Sequence, residues 1–169
     1  MPLYKYKREN ILTEQEVRLM IAESSQDGGA LMAFLYEWGP RISEALKLQT
    51  TDLSIKRGKL VADLLTLKRR WRGPVPPRRL VGRPLTSDFV RLFQAYYTML
   101  PPGKVWPFGR TKAWYLIKKV NPQASPHLFR HTRASLMAEE TGDPFKLWQF
   151  FGWTNFNTAI SYVHMRGEA

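Results

Sequence analysis

The chain has 169 residues, of which 44% are hydrophobic, enough to bury one core and form a single domain over residues 1–169. It has no cysteine, which excludes a disulfide framework and a thiolate metal centre, and its three histidines offer few metal ligands. No apolar run approaches the roughly 20 residues of a membrane helix, and the opening MPLYKYKREN lacks a signal-peptide core, so the expectation is a soluble cytoplasmic protein with no membrane partner.

The net charge of +12 is unevenly placed. From residue 64 to 138 there are fifteen Lys and Arg against one acid, Asp88, a surplus of +14; the rest has eleven against thirteen, or −2. A central excess of this size predicts a polyanionic partner, because each neutralised phosphate releases counterions. The bland reading is a generic basic surface.

Thr13 and Glu16 form a capping-box pattern ahead of Val17, Met20 and Ile21 at helical spacing, predicting a first helix over about 13–24. Gly28-Gly29 is read as separating it from ALMAFLYEW, which stops at Gly39-Pro40. RISEALKL then resumes, so Arg41 opens a helix directly after a tight break. DLSI, a turn at Lys56-Arg57-Gly58, KLVADLLTL and RRLVGRPL predict a small antiparallel sheet of two or three strands. Between the last two lies KRRWRGPVPP, basic and Pro-rich, expected as an exposed loop. Helices are predicted over about 87–99, 110–120, 127–140, 144–151 and 155–164. The fold class expected is mainly α with a small antiparallel β-sheet.

In PHLFRHTRAS, His127 and Arg130 stand three apart and share a helical face. An imidazole that moves a proton beside a guanidinium that grips two phosphate oxygens suits phosphoryl transfer, although such a pair alone more often marks a salt-bridged surface. Tyr162 follows Gly152-Trp153 by nine residues; read alone, it is an amphipathic aromatic near a chain end.

Together these blocks resemble the catalytic domain of the tyrosine recombinases, the phage-integrase family, over residues 10–165 and in the family's order. The family runs LTxxE, TGxRxSExLxLxxxD, a hairpin lysine, HxLRHTxA and LGHxxxxTxxxYxH. The counterparts are Leu12 to Glu16, Gly39-Pro40-Arg41-Ile42-Ser43-Glu44, Lys68, His127 to Ala134, and Phe151-Gly152-Trp153 through Tyr162 to His164.

The resemblance implies that Arg41 and Arg130 clamp the scissile phosphate and that Tyr162 attacks it to form a 3′-phosphotyrosine. His127 would assist proton transfer at that tyrosine, and Lys68 would be the general acid, with Arg69 and Lys59 as rivals because the hairpin register is open. Trp153 replaces the commoner histidine; its N–H can still donate to a phosphate oxygen and its bulk buttresses the tyrosine's helix. His131 is read as pointing away from His127 in a structural hydrogen bond, and His164 as a local support. Positioned cations, a nucleophile and a proton donor can transfer a phosphoryl group, and the covalent intermediate keeps the bond energy. No cofactor, metal or ATP is therefore expected.

The partner implied is double-stranded DNA, with self-association on it as a dimer or tetramer. Arg69, Arg70, Arg72, Arg78 and Arg79 are the candidate DNA contacts. Three alternatives stand beside this one: a type IB topoisomerase, in which one nicked strand swivels; a catalytically silent DNA-binding module of the same fold; and a basic structural protein with chance motifs. The HxLRHT block favours the recombinase over the topoisomerase. The resemblance also implies a helical core-binding domain ahead of this one, whereas only about ten residues precede the first helix here. Only seven follow Tyr162, where relatives carry a segment that docks on a neighbouring subunit. DNA cleavage is expected of this chain, with either weak site recognition or a chain that is a fragment of a longer recombinase.

Overall fold

The first helix starts where the capping signal stands. In the computed structural model, which describes residues 10–66, 73–75 and 77–165, α1 (Glu14–Ala22) is capped reciprocally: the Thr13 hydroxyl accepts from the Glu16 N–H at 3.1 Å, and the Glu16 carboxylate accepts from the Thr13 N–H at 2.9 Å. The Gly28-Gly29 pair does not separate two elements. It lies inside the first turns of α2 (Gln26–Trp38), which Ser25 caps. The glycines serve close packing there, since a Cβ on Gly29 would stand 3.2 Å from Ile21 Cγ2, and the shorter side chain lets α1 and α2 approach.

α2 is buried on every side from Gly28 to Trp38, as a helix surrounded by other elements must be. α1, α4 (Asp88–Thr98), α5 (Arg110–Val120) and α6 (Pro126–Thr141) pack around it. Phe34, Trp38, Phe93 and Trp106 interlock in this core with ring centroids 4.8–6.1 Å apart. The Trp38 indole N–H donates to the Val81 carbonyl at 2.9 Å, tying the central helix to the sheet.

After the short α3 (Ile42–Leu46), a single 3-10 turn at Thr50–Asp52 leads into β1 (Leu53–Lys56), β2 (Lys59–Leu65) and β3 (Arg78–Pro84). All neighbours are antiparallel in the order β1-β2-β3, with Leu53 opposite Ala62 and Ala62 opposite Val81. The mainly helical class with a small antiparallel sheet is the expected one. Most of the basic loop between β2 and β3, including Lys68, Arg69, Arg70 and Arg72, lies outside the described residues.

α7 (Pro144–Phe151) and α8 (Phe156–Met165) close the domain against α6 around a second apolar cluster: Ala134, Met137, Ala138, Leu147, Phe151, Ala159 and Tyr162. The nucleophile expected from the sequence thus sits in a small core at the edge of the domain. Among the described residues no helix is long and apolar enough to cross a membrane.

Candidate active site

Two glycines shape the site. Gly39 ends α2 at φ 56° and Gly152 ends α7 at φ 65°, a left-handed backbone that side chains resist. Both are also crowded. A Cβ at 39 would meet Arg133 Cβ and Phe151 at 2.9 Å, and one at 152 would meet the Arg79 guanidinium at 3.0 Å. Helix ends from different parts of the chain are thereby brought together, with their last carbonyls turned to the site.

Arg130 collects those carbonyls. Its guanidinium donates to Gly39 O at 2.8 Å and to Phe151 O at 3.0 Å, and it lies over the rings of Phe151 and Trp153 at 5.1 and 5.7 Å. These two bonds leave three of the five guanidinium N–H donors for a ligand. Burial first, and then the like charge of Arg41, pushes the pKa of Arg130 down to about 9. Its charge is held against a cost that a bound anion would relieve.

Arg41 stands at the N-cap of α3, a third exposed, after the Gly39-Pro40 break. The carboxylate of Glu44, fully buried, accepts from the Arg41 backbone N–H at 3.0 Å and lies 3.4 Å from its guanidinium. Arg79 holds the other side of Glu44 through two contacts of 3.1 Å, donates to Phe150 O at 2.9 Å and to the Thr66 hydroxyl at 3.0 Å. Burial raises the Glu44 pKa, but the hydrogen bonds and charge of Arg79 outweigh it and leave the carboxyl below its usual range.

Tyr162, on α8, is only 7% exposed. Its ring lies parallel to Trp153, with an interplanar angle of 3° and centroids 5.4 Å apart, and Phe151 stacks on the far side of Trp153 at 4.8 Å. Trp153 is thus sandwiched between the rings of Phe151 and Tyr162. The Tyr162 hydroxyl is 2.9 Å from His131 Nδ1. His131 thus forms a hydrogen bond, and its partner is Tyr162, the residue that the resemblance implies as nucleophile.

His127 is exposed near the start of α6, where its ring meets the edge of Trp114 on α5. Lys68 lies outside the described residues, yet the strand before it is placed: Thr66, one residue past β2, touches Arg79 inside the site. Lys59 begins β2 and pairs with Pro84 at the opposite end, about 23 Å away at about 3.3 Å per residue. The strand therefore ends at the site two residues short of Lys68, and it starts with Lys59 far from it.

The expected DNA contacts divide. Arg69, Arg70 and Arg72 lie outside the described residues. Arg78 is paired with Asp52 at 2.8 Å and Asp63 at 3.1 Å, and Arg79 is the interior strut just described, so their contacts are with carboxylates of the chain itself. Sequence reasoning passed over α5, whose Arg110, Lys112, Tyr115, Lys118 and Lys119 are all exposed while Ala113, Leu116 and Ile117 face inward. The signal was present as four cations on the outer face of one amphipathic helix; the denser charge of KRRWR drew attention from it. No group of three or more His, Asp or Glu side chains that could hold a metal ion occurs among the described residues.

No family model matches the sequence. The chain is 24% identical over 180 residues to the tyrosine recombinase XerD of Neisseria meningitidis, an alignment covering 92% of this chain and 58% of that protein. Among solved structures it resembles the XerH site-specific recombinase bound to its difH substrate before cleavage, with a TM-score of 0.73 at 17% identity over 96% of this chain and 52% of that one. It also resembles the catalytic domain of bacteriophage HP1 integrase, with a TM-score of 0.66 at 20% identity over 92% of this chain and 87% of that one. The fold is thus the catalytic-domain fold of site-specific recombinases and integrases. In sequence and in fold the chain is similar to the tyrosine recombinases, and it spans somewhat less than three fifths of the XerD protein that it matches.

Proposed function

We propose that this chain is the catalytic domain of a site-specific DNA recombinase or integrase that cleaves and rejoins strands through a tyrosine. The observation that carries the reading is the convergence of Tyr162 on α8, Trp153 between α7 and α8, and Arg130 on α6, with the Arg130 guanidinium over the ring that stacks on the nucleophile. Arg130 and Arg41 bind the nonbridging oxygens of a phosphodiester, where their charges meet the charge that develops as the phosphoryl group transfers. The Tyr162 oxygen bonds to phosphorus, the bond to the 5′-oxygen breaks, and Lys68 supplies the leaving oxygen with its proton. Attack by a 5′-hydroxyl on the resulting 3′-phosphotyrosine reseals DNA without ATP. No step calls for a metal.

The partner in this reading is double-stranded DNA in the cytoplasm, with copies of the chain associating on it. The exposed cations of α5 supply a phosphate-binding face, and the contact of Trp114 with His127 joins that face to the site. Arg69, Arg70 and Arg72 remain candidate contacts beside it.

The deciding experiment uses a library of nicked duplexes, randomised around the nick, in which strand cleavage releases a short fragment and traps the covalent adduct. The native chain should give a protein–DNA band resistant to denaturant, and Tyr162→Phe should give none. Equal bands from both would reject Tyr162 as nucleophile. A native chain that binds DNA without forming any adduct would reject the enzyme in favour of a DNA-binding module.

A further inference from the structure

We propose that His131 is the general base that activates Tyr162, a role that the sequence resemblance assigns to His127. The inference rests on Tyr162 being the nucleophile. Nδ1 of His131 is 2.9 Å from the Tyr162 hydroxyl oxygen, within the range in which a base can take a proton directly. His131 is 2% exposed and Tyr162 7%, which limits the access of bulk water as a competing acceptor. His127, in contrast, is exposed and packs its ring against the edge of Trp114.

The surroundings suit a transient phenolate. Trp153 stacks within 3° of parallel on the tyrosine ring, which fixes the direction of the hydroxyl. Arg130, the residue before His131, lies close enough for negative charge on Tyr162 to favour the guanidinium cation, and by symmetry the guanidinium favours the phenolate. In the step itself the hydroxyl proton passes to His131 Nδ1 as the phenolic oxygen bonds to phosphorus. The 5′-oxygen departs with the proton from Lys68. In resealing, the proton on His131 returns to the leaving tyrosine oxygen. The imidazole must therefore start neutral, with its proton on Nε2 and Nδ1 open to accept.

Two measurements on the full chain test this. In the first, nitrogen NMR of the native protein reads the tautomer: the Nε2–H form is expected, whereas a proton resident on Nδ1 would make His131 a donor to Tyr162 and overturn the inference. In the second, His131→Asn and His127→Asn are compared on the nicked-duplex library. Asparagine can accept the tyrosine's hydrogen bond but cannot take its proton, so H131N should keep the fold and lose about 10²- to 10⁴-fold in cleavage rate. A substrate with sulfur in place of the bridging 5′-oxygen, which leaves without an acid, should rescue Lys68→Ala and leave H131N slow. H131N at the native rate, or H131N rescued by the sulfur substrate, overturns the assignment while Tyr162 remains the nucleophile. No adduct from the native chain overturns the nucleophile reading and this one with it.

Discussion

Glu44 and Arg79 form an ion pair inside the domain, with two guanidinium–carboxylate contacts of 3.1 Å. The pair reaches further than its own two residues, because Glu44 also receives the backbone N–H of Arg41 and Arg79 also binds the Phe150 carbonyl and Thr66. One buried salt bridge thus joins α3, β3, α7 and the residue that follows β2. Removing Arg79 takes two charged hydrogen bonds from a buried carboxylate, and breaking a buried ion pair by deleting one partner is strongly destabilising. Arg79→Met should lower stability by about 3–5 kcal/mol, measured by urea unfolding at neutral pH.

Acid should act on the same pair. The folded Glu44 carboxyl lies below its ordinary value, so the unfolded chain takes up its proton first as pH falls. The stabilisation is present above the unfolded value of about 4.3 and is lost as pH drops below it through the lower folded value. Glu44→Gln should flatten the fall in urea midpoint between neutral pH and about pH 3. A native and mutant profile of equal steepness would show that other carboxylates govern the acid response.

Gly39 should tolerate no side chain. Its φ is 56°, and Arg133 Cβ and Phe151 come within 2.9 Å of the place a methyl group would take. Backbone strain of about 1–3 kcal/mol would then add to overpacking of similar size. Gly39→Ala should lower Tm and also move the carbonyl that Arg130 binds, so that cleavage falls more than stability alone explains. Retention of native Tm would mean that the α2 end can shift without cost.

Trp153 offers two separable contributions, its stack on Tyr162 and its indole N–H. Trp153→Phe keeps an aromatic face and Trp153→His keeps a donor. If the stack matters most, the phenylalanine variant should cleave within about tenfold of native, since an aromatic pair contributes about 0.5–1.5 kcal/mol beyond its burial. A histidine variant faster than the phenylalanine one would place the weight on the hydrogen bond.

DNA binding should depend on salt through α5. Replacing Lys118 and Lys119 by alanine should reduce the slope of log affinity against log salt by about 0.9 for each phosphate that is no longer neutralised, measured by fluorescence anisotropy on a generic duplex. The triple replacement of Arg69, Arg70 and Arg72 tests the loop in the same way. An unchanged slope in either variant removes that segment from the DNA interface.

The order of elements and most of their ends could be read directly from the chain, the start of α2 being the exception because Gly28 and Gly29 serve packing there and not a break. The Thr13 capping box, the Gly39-Pro40 break and the turn at Arg57-Gly58 are local signals, governed by backbone conformations that neighbouring residues decide among themselves. Spacing along α6 likewise put His127 and Arg130 on one face. What the chain alone could not disclose was partnership. Whether Arg79 meets DNA or a buried carboxylate depends on Glu44, 35 residues away in sequence. Which histidine meets Tyr162 depends on how α8 docks against α6, a contact spanning 31 residues. Charge and periodicity describe each segment by itself, while the pairing of side chains across segments is set by packing of the whole core, and only the tertiary structure decides it.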